Sequence, residues 1–530
     1  MVEGGIFTAM SEQLLSKEAL NPIVKKYYLQ LTPPSLEDNT ADIDRIKKYL
    51  KSKLAIDNIH VSLKNIARFS RVLRQANFKG TVTVLNELDR FRLIDMEAGD
   101  TTDRNYGIAV DLGTATLMFY LLDLYTGKII DQISAYNPQI RFGEDILTRI
   151  HHAGKGDGFN ELKECIIDSF NRHIRLIAEK NHCSLNNIYV LAVAGNTTMT
   201  HLFLGLQPAT ICREPYIPII NKPDLFLASE VNLSIGTNGH VLVFPNVGSY
   251  VGGDLIAGIL FSEIYKNSKT SILLDVGTNV EVILGNSEWL IACAGAGGPA
   301  LEGGAVKIGT MASQGAIDKV RINPVTLEPT YSTIGDTKPK GICGSGLIDL
   351  IAEMFLSKII DSQGKVTGNL NSHRIVKTHE GMGYVLAFKE ETAGGQDLII
   401  SEADISVLLR SKAAMYTILT TISSMVDIKF QHLKHFFIAG TFGNYLDPKM
   451  AITIGMIPDI PIDRYKVIGN SSGLGACIAL LSDKKREDIS RICDGITYVE
   501  LNVNTAFMSL FNAARFIPHT DRNLFPSVKI

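Results

Sequence analysis

One stretch of this chain decides its fold, YGIAVDLGTATLMFYLLDLYTGKIIDQISAYN (106–137). An apolar strand runs into a tight turn, a second strand follows, and a Tyr-Thr-Gly turn leads to a third. The stretch SILLDVGTNVEVILGNSEWLIACAG (271–295) repeats this order. Each first strand ends in Asp-x-Gly-Thr, and the two aspartates, Asp111 and Asp275, lie 164 residues apart. That separation indicates duplication of a whole domain rather than a short repeat.

Helical patterns follow each of these two stretches. Two of the longest are FNELKECIIDSFNRHIRLIAEKN and EADISVLLRSKAAMYTILTTISSMV. Strands that alternate with such helices predict an α/β fold with two related lobes. Ahead of the first lobe, residues 41–103 contain two amphipathic helical segments and two strand candidates. This pattern predicts a small α+β domain near the lower size limit for independent folding.

We predict five regions along the chain. They are a linker, a small α+β domain, a first lobe, a second lobe with its return helix, and a C-terminal tail packed on the body, at 1–34, 35–104, 105–265, 266–482 and 483–530.

The composition is that of an ordinary globular protein. The 530 residues correspond to about three to four domains at roughly 150 residues each. Apolar residues make up 45 % and charged residues 20 %, and the net charge is −3. The balance of charges favours neither nucleic acid nor a membrane surface as a partner. The N-terminus lacks a basic segment followed by an apolar one, and the most apolar long stretch (241–261) contains Pro245 and Asp254. We therefore expect a cytoplasmic protein without a membrane span.

The seven cysteines are scattered, and the closest two, Cys477 and Cys493, lie 16 residues apart. This spacing argues against a zinc finger, a thioredoxin-like motif and a sequence-clustered iron–sulfur site. The odd number argues against a disulfide scaffold. Cys293 and Cys343 adjoin glycine-rich turns, and we interpret them as small buried apolar residues rather than a redox pair.

The two Asp-x-Gly-Thr turns point to phosphate chemistry. Gly113 and Gly277 allow the backbone to approach a ligand, and successive N–H groups in such a turn can form an anion site. An aspartate at the end of a strand can hold a hydrated Mg²⁺. One copy is weak evidence because aspartate and glycine are ordinary turn residues. Two copies in matching strand contexts predict a nucleoside triphosphate clamped between two lobes.

Two further glycine-rich turns fit the same chemistry. In FFIAGTFGN (436–444) an apolar strand breaks into a turn that could lie against an adenosine or simply connect a strand to a helix. IGNSSGLGA (468–476) enters a helix rich in small residues, which suit either a hinge between lobes or close helix packing.

Taken in order, DLGTATL, GGDLIAG, LLDVGTNVEV, IAGTFGN and GNSSGLGACIAL resemble motifs of the acetate/sugar kinase, heat-shock chaperone and actin superfamily of ATPases. The corresponding motifs are phosphate 1, the first connecting helix, phosphate 2, adenosine and the second connecting helix. The resemblance implies two duplicated RNase H-like lobes. More narrowly, AGNTTMTHLFLG (194–205), GGPALEGG (297–304), GICGSGLIDL (341–350) and the closing YVELNVNTAFMSLFNAARFIPHTDRNLFP resemble the reductive activators of corrinoid proteins. This similarity runs from about residue 20 to the end.

The narrower resemblance implies ATP-dependent reduction of an inactive Co(II) corrinoid to the Co(I) state used in methyl transfer. The implied cofactors are ATP and Mg²⁺, and the implied partners are a corrinoid protein and a ferredoxin-type electron donor; we also expect a homodimer. Such activators usually begin with a [2Fe–2S] ferredoxin domain, whereas this sequence starts at the linker that normally follows it. We therefore expect that domain to have been trimmed, or a separate protein to supply the electron.

The resemblance also assigns roles at matching positions. Asp111 and Asp275 would hold Mg²⁺ through water. The phosphates would be cradled by Gly113, Thr114, Thr116, Gly277, Thr278 and Asn279. The adenosine would be bordered by Gly440, Thr441, Gly443 and Asn444. The candidates for activating the attacking water are Glu144, Asp145 and Asp254. Asp145 and Asp254 can also be explained as helix-start residues. Asn196, Thr197 and Thr198 could line the cleft with His201, which otherwise has a structural role.

Three other functions stay open at this point. A small-molecule kinase of the same superfamily would need a substrate pocket with a catalytic aspartate, and no sugar-kinase signature is present. An activator of a radical or dehydratase enzyme would be expected to bridge a [4Fe–4S] cluster between two subunits, which the scattered cysteines argue against. A non-catalytic nucleotide-binding module would bind ATP without turnover stimulated by a partner.

Overall fold

The computed structural model describes residues 20–277, 279–296, 306–367, 370, 372–440, 446–500 and 507–529. These residues form two compact units. Unit 1 comprises residues 20–261 together with Ser472–Asp494, and unit 2 comprises the described residues of Ser262–Ser471 and of 495–529. The domain boundaries given above remain a prediction.

The described residues contain 22 strands. In chain order they are Val24–Gln30 (β1), Ile59–Val61 (β2), Lys79–Asn86 (β3), Phe91–Ala98 (β4), Tyr106–Leu112 (β5), Thr116–Asp123 (β6), Lys128–Tyr136 (β7), Ile188–Gly195 (β8), Phe226–Leu227 (β9), His240–Val243 (β10), Ser271–Val276 (β11), Asn279–Gly285 (β12), Leu290–Ala296 (β13), Ala316–Ile322 (β14), Pro329–Thr333 (β15), Gly341–Ile342 (β16), Ile375–Thr378 (β17), Gly381–Ala387 (β18), Leu398–Ser401 (β19), Phe436–Ala439 (β20), Tyr465–Gly469 (β21) and Ile496–Tyr498 (β22).

The same residues contain twelve α-helices. In chain order they are Asp42–Leu54 (α1), Leu63–Gln75 (α2), Ile146–Ala153 (α3), Gly158–Lys180 (α4), Thr197–Leu204 (α5), Gly253–Ser262 (α6), Gly344–Leu356 (α7), Glu402–Met425 (α8), Pro448–Thr453 (α9), Ser471–Leu481 (α10), Asp483–Gly495 (α11) and Phe507–Ala514 (α12).

Unit 1 begins with a small α+β layer. Its four-stranded sheet has the order β1-β3-β4-β2. The apolar stripes of α1 and α2 pack into one core with this sheet, through Ile46, Leu50, Phe69 and Leu73. Residues three and four apart lie on one side of a helix, so these stripes follow from the sequence pattern.

The same strand arrangement recurs in the main sheet of each unit. In unit 1 the order is β7-β6-β5-β8-β10-β9, with β5 antiparallel to β6 and parallel to β8. In unit 2 the order is β21-β20-β11-β12-β13-β22, with β11 antiparallel to β12 and parallel to β20. Strand β5 therefore corresponds to β11, and β8 to β20. This confirms the predicted α/β fold with two duplicated, actin-like lobes.

Unit 2 carries additional elements around its main sheet. Two three-stranded sheets have the orders β15-β14-β16 and β17-β18-β19. The long helix α8 begins at a capping box, in which Ser401 Oγ accepts from the Asp404 N–H and Asp404 Oδ2 accepts from the Ser401 N–H. Within the described part of the chain, no helix is long and apolar enough to cross a lipid bilayer.

Candidate functional site

Asp111 lies at the carboxyl end of the central strand of unit 1. In the sheet register it stands between Met118 on β6 and Ala194 on β8. Ser472 donates a hydrogen bond from Oγ to Asp111 Oδ1 over 2.8 Å. This serine belongs to the first turn of α10, so the carboxylate is oriented by a residue 361 positions away in sequence. Ligand sites of α/β sheets lie at the carboxyl ends of strands.

The turn after Asp111 requires glycine. A Cβ atom added to Gly113 would lie 2.6 Å from the carbonyl oxygen of Thr116, the first residue of β6. Asn137, which follows β7, donates from Nδ2 to the Gly113 carbonyl over 2.8 Å. The Asn137 side chain therefore fixes a glycine turn of the kind whose N–H groups can form an anion site.

Thr114 is buried and connected to the start of a neighbouring helix. Its Oγ1 accepts from Asn196 Nδ2 at 3.0 Å. The same Asn196 side chain accepts from the Met199 N–H at 2.9 Å and caps α5. The predicted Asn196–Thr198 segment and the predicted phosphate turn thus come together in unit 1.

Arg149, like Ser472, is a residue of this site that the sequence patterns do not predict. Its side chain is 0 % exposed, and it donates from Nη2 to the Thr114 carbonyl at 2.7 Å and from Nε to the Gly143 carbonyl at 2.8 Å. Burial lowers the pKa of Arg149 to about 10, so it stays protonated at neutral pH. Nothing in the helical pattern GEDILTRIHHA marks this arginine out, because its partners include the backbone carbonyl of Thr114, 35 positions earlier in the chain.

Asp254 lies in the first turn of α6, and a hydrogen bond from the Leu255 N–H reaches its Oδ1 at 2.8 Å. Burial raises the pKa of Asp254 to about 7, and the charge of Asp111 acts in the same direction. A Cβ atom on Gly252 would lie 2.4 Å from Asp254 Oδ1 and 2.5 Å from Asn196 Cα. The Asp254 carboxyl therefore lies close to Asn196, whose side chain contacts Thr114. The negative charge of Asp111 also acts on this carboxyl.

The other two candidates for activating water are exposed at the start of α3. Asp145 caps this helix, accepting from the Thr148 N–H at 2.9 Å. Backbone hydrogen bonding lowers the pKa of Asp145, which makes it a weaker base than Asp254. Glu144 is exposed beside it. Its neighbour Gly143 accepts a hydrogen bond from Arg149, which also binds the phosphate turn.

Unit 2 repeats the arrangement around Asp275. In the sheet register this half-buried residue pairs with Glu281 on β12 and Ala439 on β20. Gly277 donates from its N–H to the Asn279 carbonyl at 2.9 Å and closes the turn. Gly440 has φ +94°, and a Cβ atom there would lie 2.3 Å from the Val276 carbonyl oxygen. The second phosphate turn and the start of the adenosine motif therefore meet in unit 2.

Several predicted residues lie outside the described residues. They are Thr278, Thr441, Gly443 and Asn444, together with the motif GGPALEGG at 297–304.

His201 and the two singled-out cysteines are buried. His201 Nδ1 lies 2.7 Å from the Thr197 carbonyl oxygen, and its Nε2 accepts from the Ile219 N–H at 3.1 Å. Burial lowers the pKa of this histidine, which fits a neutral structural role. Burial also raises the pKa of Cys293 to about 12 and that of Cys343 in the same direction, so both stay thiols.

The side chains of unit 1 fit a hydrated magnesium ion. No group of three or more His, Cys, Asp or Glu side chains that could hold a metal occurs among the described residues. Mg²⁺ does not require one, because it keeps several waters and takes one or two carboxylates plus substrate phosphates. Asp111, at the carboxyl end of β5, is a carboxylate that could take part in such a site.

A central strand that ends in an aspartate and a glycine turn, present twice in sheets that share the order of five strands, defines an actin-like ATPase fold. Three family descriptions match the chain: "RACo linker region" at residues 14–103, "RACo middle region" at 106–267 and "C-terminal domain of RACo the ASKHA domain" at 269–529. The chain therefore belongs to the RACo family of reductive activators.

Similarity to individual proteins supports this assignment. The corrinoid activation enzyme RamQ of Eubacterium limosum is 32 % identical over 504 residues, covering 93 % of this chain and 82 % of RamQ. The [Co(II) methylated amine-specific corrinoid protein] reductase of Methanosarcina barkeri is 24 % identical over 431 residues, covering 76 % and 74 %. The solved structure of a reductive activator for corrinoid, iron-sulfur protein is 39 % identical, with a TM-score of 0.92 over 97 % of this chain and 82 % of its own.

Proposed function

We propose that this protein reductively activates a corrinoid protein, using ATP to return an inactive Co(II) centre to Co(I) for methyl transfer. The observation that carries the proposal is the Asp-x-Gly turn at the end of the central strand, present in both units, at Asp111 and Asp275. The names of the relatives, a corrinoid activation enzyme and a Co(II) corrinoid protein reductase, support the choice of substrate.

Each residue then has a chemical role. Asp111 and Asp275 would hold a magnesium ion through water. The turn residues Gly113, Thr114, Thr116, Gly277, Thr278 and Asn279 receive the phosphates. The turn residues Gly440, Thr441, Gly443 and Asn444 border the adenosine. MgATP, when bound, supplies the free energy of hydrolysis of its terminal phosphoanhydride bond.

Asp254 is our choice of general base among the three candidates. Its pKa near 7 matches the working pH of a base, whereas the pKa of Asp145 is depressed. The Asp254 carboxylate would take one proton from the attacking water while ADP leaves. Arg149 holds the phosphate turn from behind and adds a positive charge within the protein interior.

ATP hydrolysis is coupled to reduction through the two lobes in this proposal. Nucleotide contacts with each lobe bias a two-state hinge, and hydrolysis drives closure and partner release. A base-coordinated Co(II) corrinoid is hard to reduce, and an activator that removes the axial ligand raises its potential. The electron comes from a ferredoxin-type iron–sulfur donor, and the homodimer remains a prediction.

Hydrolysis of ATP in the presence of the partner tests this proposal. We expect turnover to increase when a Co(II) corrinoid protein is added, and the D111N variant to lose that increase. Turnover that is the same with and without the partner would favour a different member of the superfamily.

A further inference from the structure

The helices α1 and α2 carry an unusual excess of positive charge. Together they contain nine lysines and arginines against two aspartates, a net charge of +7, in a chain whose overall net charge is −3. A charge excess confined to one surface raises the local concentration of oppositely charged partners and speeds their association.

Many of these charges lack an acidic neighbour. Ion pairs occupy Arg45, Lys51, Arg68 and Arg74, through Asp38, Asp57, Asp95 and Asp42 respectively. Among the described residues, no ion pair involves the exposed Lys48, Lys53, Lys64 and Arg71. These four side chains are therefore available to a partner.

The two helices present one continuous surface. Their apolar stripes share a core with the sheet, so their charged sides point away from it. Asp42, at the start of α1, accepts from Arg74 Nε at 2.6 Å, near the end of α2. The helices thus lie side by side, and we call their outward surface the basic face, defined by Lys48, Lys64 and Arg71.

An aliphatic side chain adjoins the charges of the basic face. Leu63, next to Lys64 at the start of α2, is 85 % exposed. Apolar residues surrounded by charge are the anatomy of protein–protein interfaces. Single-stranded nucleic acid binds instead through aromatic rings on which bases stack, and the exposed apolar residue here is aliphatic. An acidic protein surface is the partner that fits both features.

The area of the basic face indicates the kind of complex. Helices of 13 residues are about 20 Å long, and packed helices lie about 10 Å apart, which gives a face of roughly 400 Å² per partner. Twice that area is below the ~1,200 Å² of standard interfaces, in the range of weak electron-transfer encounters. Such encounters depend on charge steering for their rate.

We propose that the basic face docks an acidic one-electron donor protein. This inference rests on the proposed function, in which each cobalt needs one electron. The reduced donor loses one electron to become the oxidised donor, and Co(II), from which the activator has removed the axial ligand, gains it to become Co(I).

Charge reversal on the basic face tests the proposal. The triple variant K48E/K64E/R71E is compared with a control, K429E/K434E/K466E, which reverses three exposed lysines of unit 2. The probe is a purified acidic [2Fe–2S] ferredoxin, reduced before mixing. We expect binding of the ferredoxin, and Co(I) formation driven by it, to fall at least about tenfold in the basic-face variant and in wild type at high salt. The control should match wild type.

A parallel arm separates failure of this inference from failure of the proposed function. With titanium(III) citrate as the reductant, Co(I) formation should be equal in wild type and both variants, because no protein donor has to dock. If wild type forms no Co(I) with titanium(III) citrate, the proposed function is rejected. The docking proposal is then judged from ferredoxin binding alone. Unchanged ferredoxin binding by the triple variant overturns the inference. The inference is also overturned if the triple variant loses binding only to a DNA duplex or to phosphatidylserine vesicles.

Discussion

Arg149 donates a hydrogen bond from Nη2 to the carbonyl oxygen of Thr114 over 2.7 Å. A fully buried guanidinium thus sits directly behind the first phosphate turn, and its other partners are the Gly143 carbonyl oxygen, the Gln139 side-chain oxygen and the Met199 sulfur. A buried cation whose hydrogen-bond partners are neutral costs stability. That cost is understandable if the charge acts on an anion bound by the turn.

Replacing Arg149 should therefore weaken nucleotide binding in proportion to phosphate charge. We expect R149Q to lower the affinity for MgATP about tenfold or more, since hydrogen bonds to charged groups contribute about 1.5–3 kcal/mol. Binding of AMP should change much less, and R149K should be intermediate. Titration calorimetry with both nucleotides measures this, and R175Q, on the exposed side of α4, serves as the control. Equal losses for ATP and AMP would mean that Arg149 only supports the fold.

Two adjacent serines provide a matched test of the Asp111 site. Ser472 Oγ donates to Asp111 at 2.8 Å, whereas the buried Ser471 Oγ has no hydrogen-bond partner among the described residues. Loss of a residue that orients a metal ligand reduces activity by about 10- to 100-fold. We expect that loss in ATP turnover for S472A and little change for S471A. An equal loss of ATP turnover in S472A and S471A would show that Ser472 does not orient Asp111.

The pH dependence of turnover should report on Asp254. A general base must be ionised, so with a pKa of about 7 kcat should rise with pH through neutrality and then level off. D254N should lower kcat by about 10²- to 10⁴-fold and abolish this acidic limb. If kcat of D254N still rises with pH through neutrality, another group is the general base.

The same substitution should have the opposite effect on stability. The pKa of Asp254 is higher in the folded than in the unfolded chain, so the folded form binds the proton more tightly and loses stability as the carboxyl ionises. D254N removes this loss. Its melting temperature relative to wild type should therefore increase between pH 5 and pH 8.

Lys412 should be a determinant of how the C-terminal segment packs in unit 2. This fully buried residue of α8 donates from Nζ to the carbonyl oxygens of Phe516 and Pro518, each at 2.7 Å. K412M leaves both carbonyls unsatisfied, and we expect it to lower the free energy of unfolding by about 2–4 kcal/mol. Urea denaturation measures this change, and K429M, at an exposed site, should lie within about 0.5 kcal/mol of wild type.

Burial lowers the pKa of Lys412, so the unfolded chain binds its proton more tightly than the folded chain. Wild type should therefore gain stability relative to K412M as the pH rises above neutrality. A constant difference between the two proteins over that range would contradict a desolvated ammonium at this position.

The duplicated sheets could be predicted from the sequence because their information is local. Apolar runs that end in Asp-x-Gly-Thr specify a strand and its turn within about ten residues, and the second copy at Asp275 repeated the signal. The small α+β layer was predictable for the same reason, since α1 and α2 follow their own apolar stripes. Local sequence patterns therefore predict most of the fold.

The residues that complete the site could not be predicted in this way. Ser472 meets Asp111 across 361 positions, and Arg149 binds the backbone carbonyls of Thr114 and Gly143, which no side-chain pattern marks as its partners. Such contacts depend on how distant elements pack, which periodicity does not encode. The raised pKa of Asp254 likewise follows from burial rather than from its neighbours in sequence.

The visible spectrum of a Co(II) corrinoid protein mixed with this protein and a reduced one-electron donor tests the central claim most directly. We predict that the Co(II) band is replaced by the Co(I) band only after MgATP is added, and that D111N leaves the Co(II) band in place. A Co(I) band that forms equally without ATP or with D111N, or no Co(I) band with the wild-type protein and a competent donor, would contradict the account.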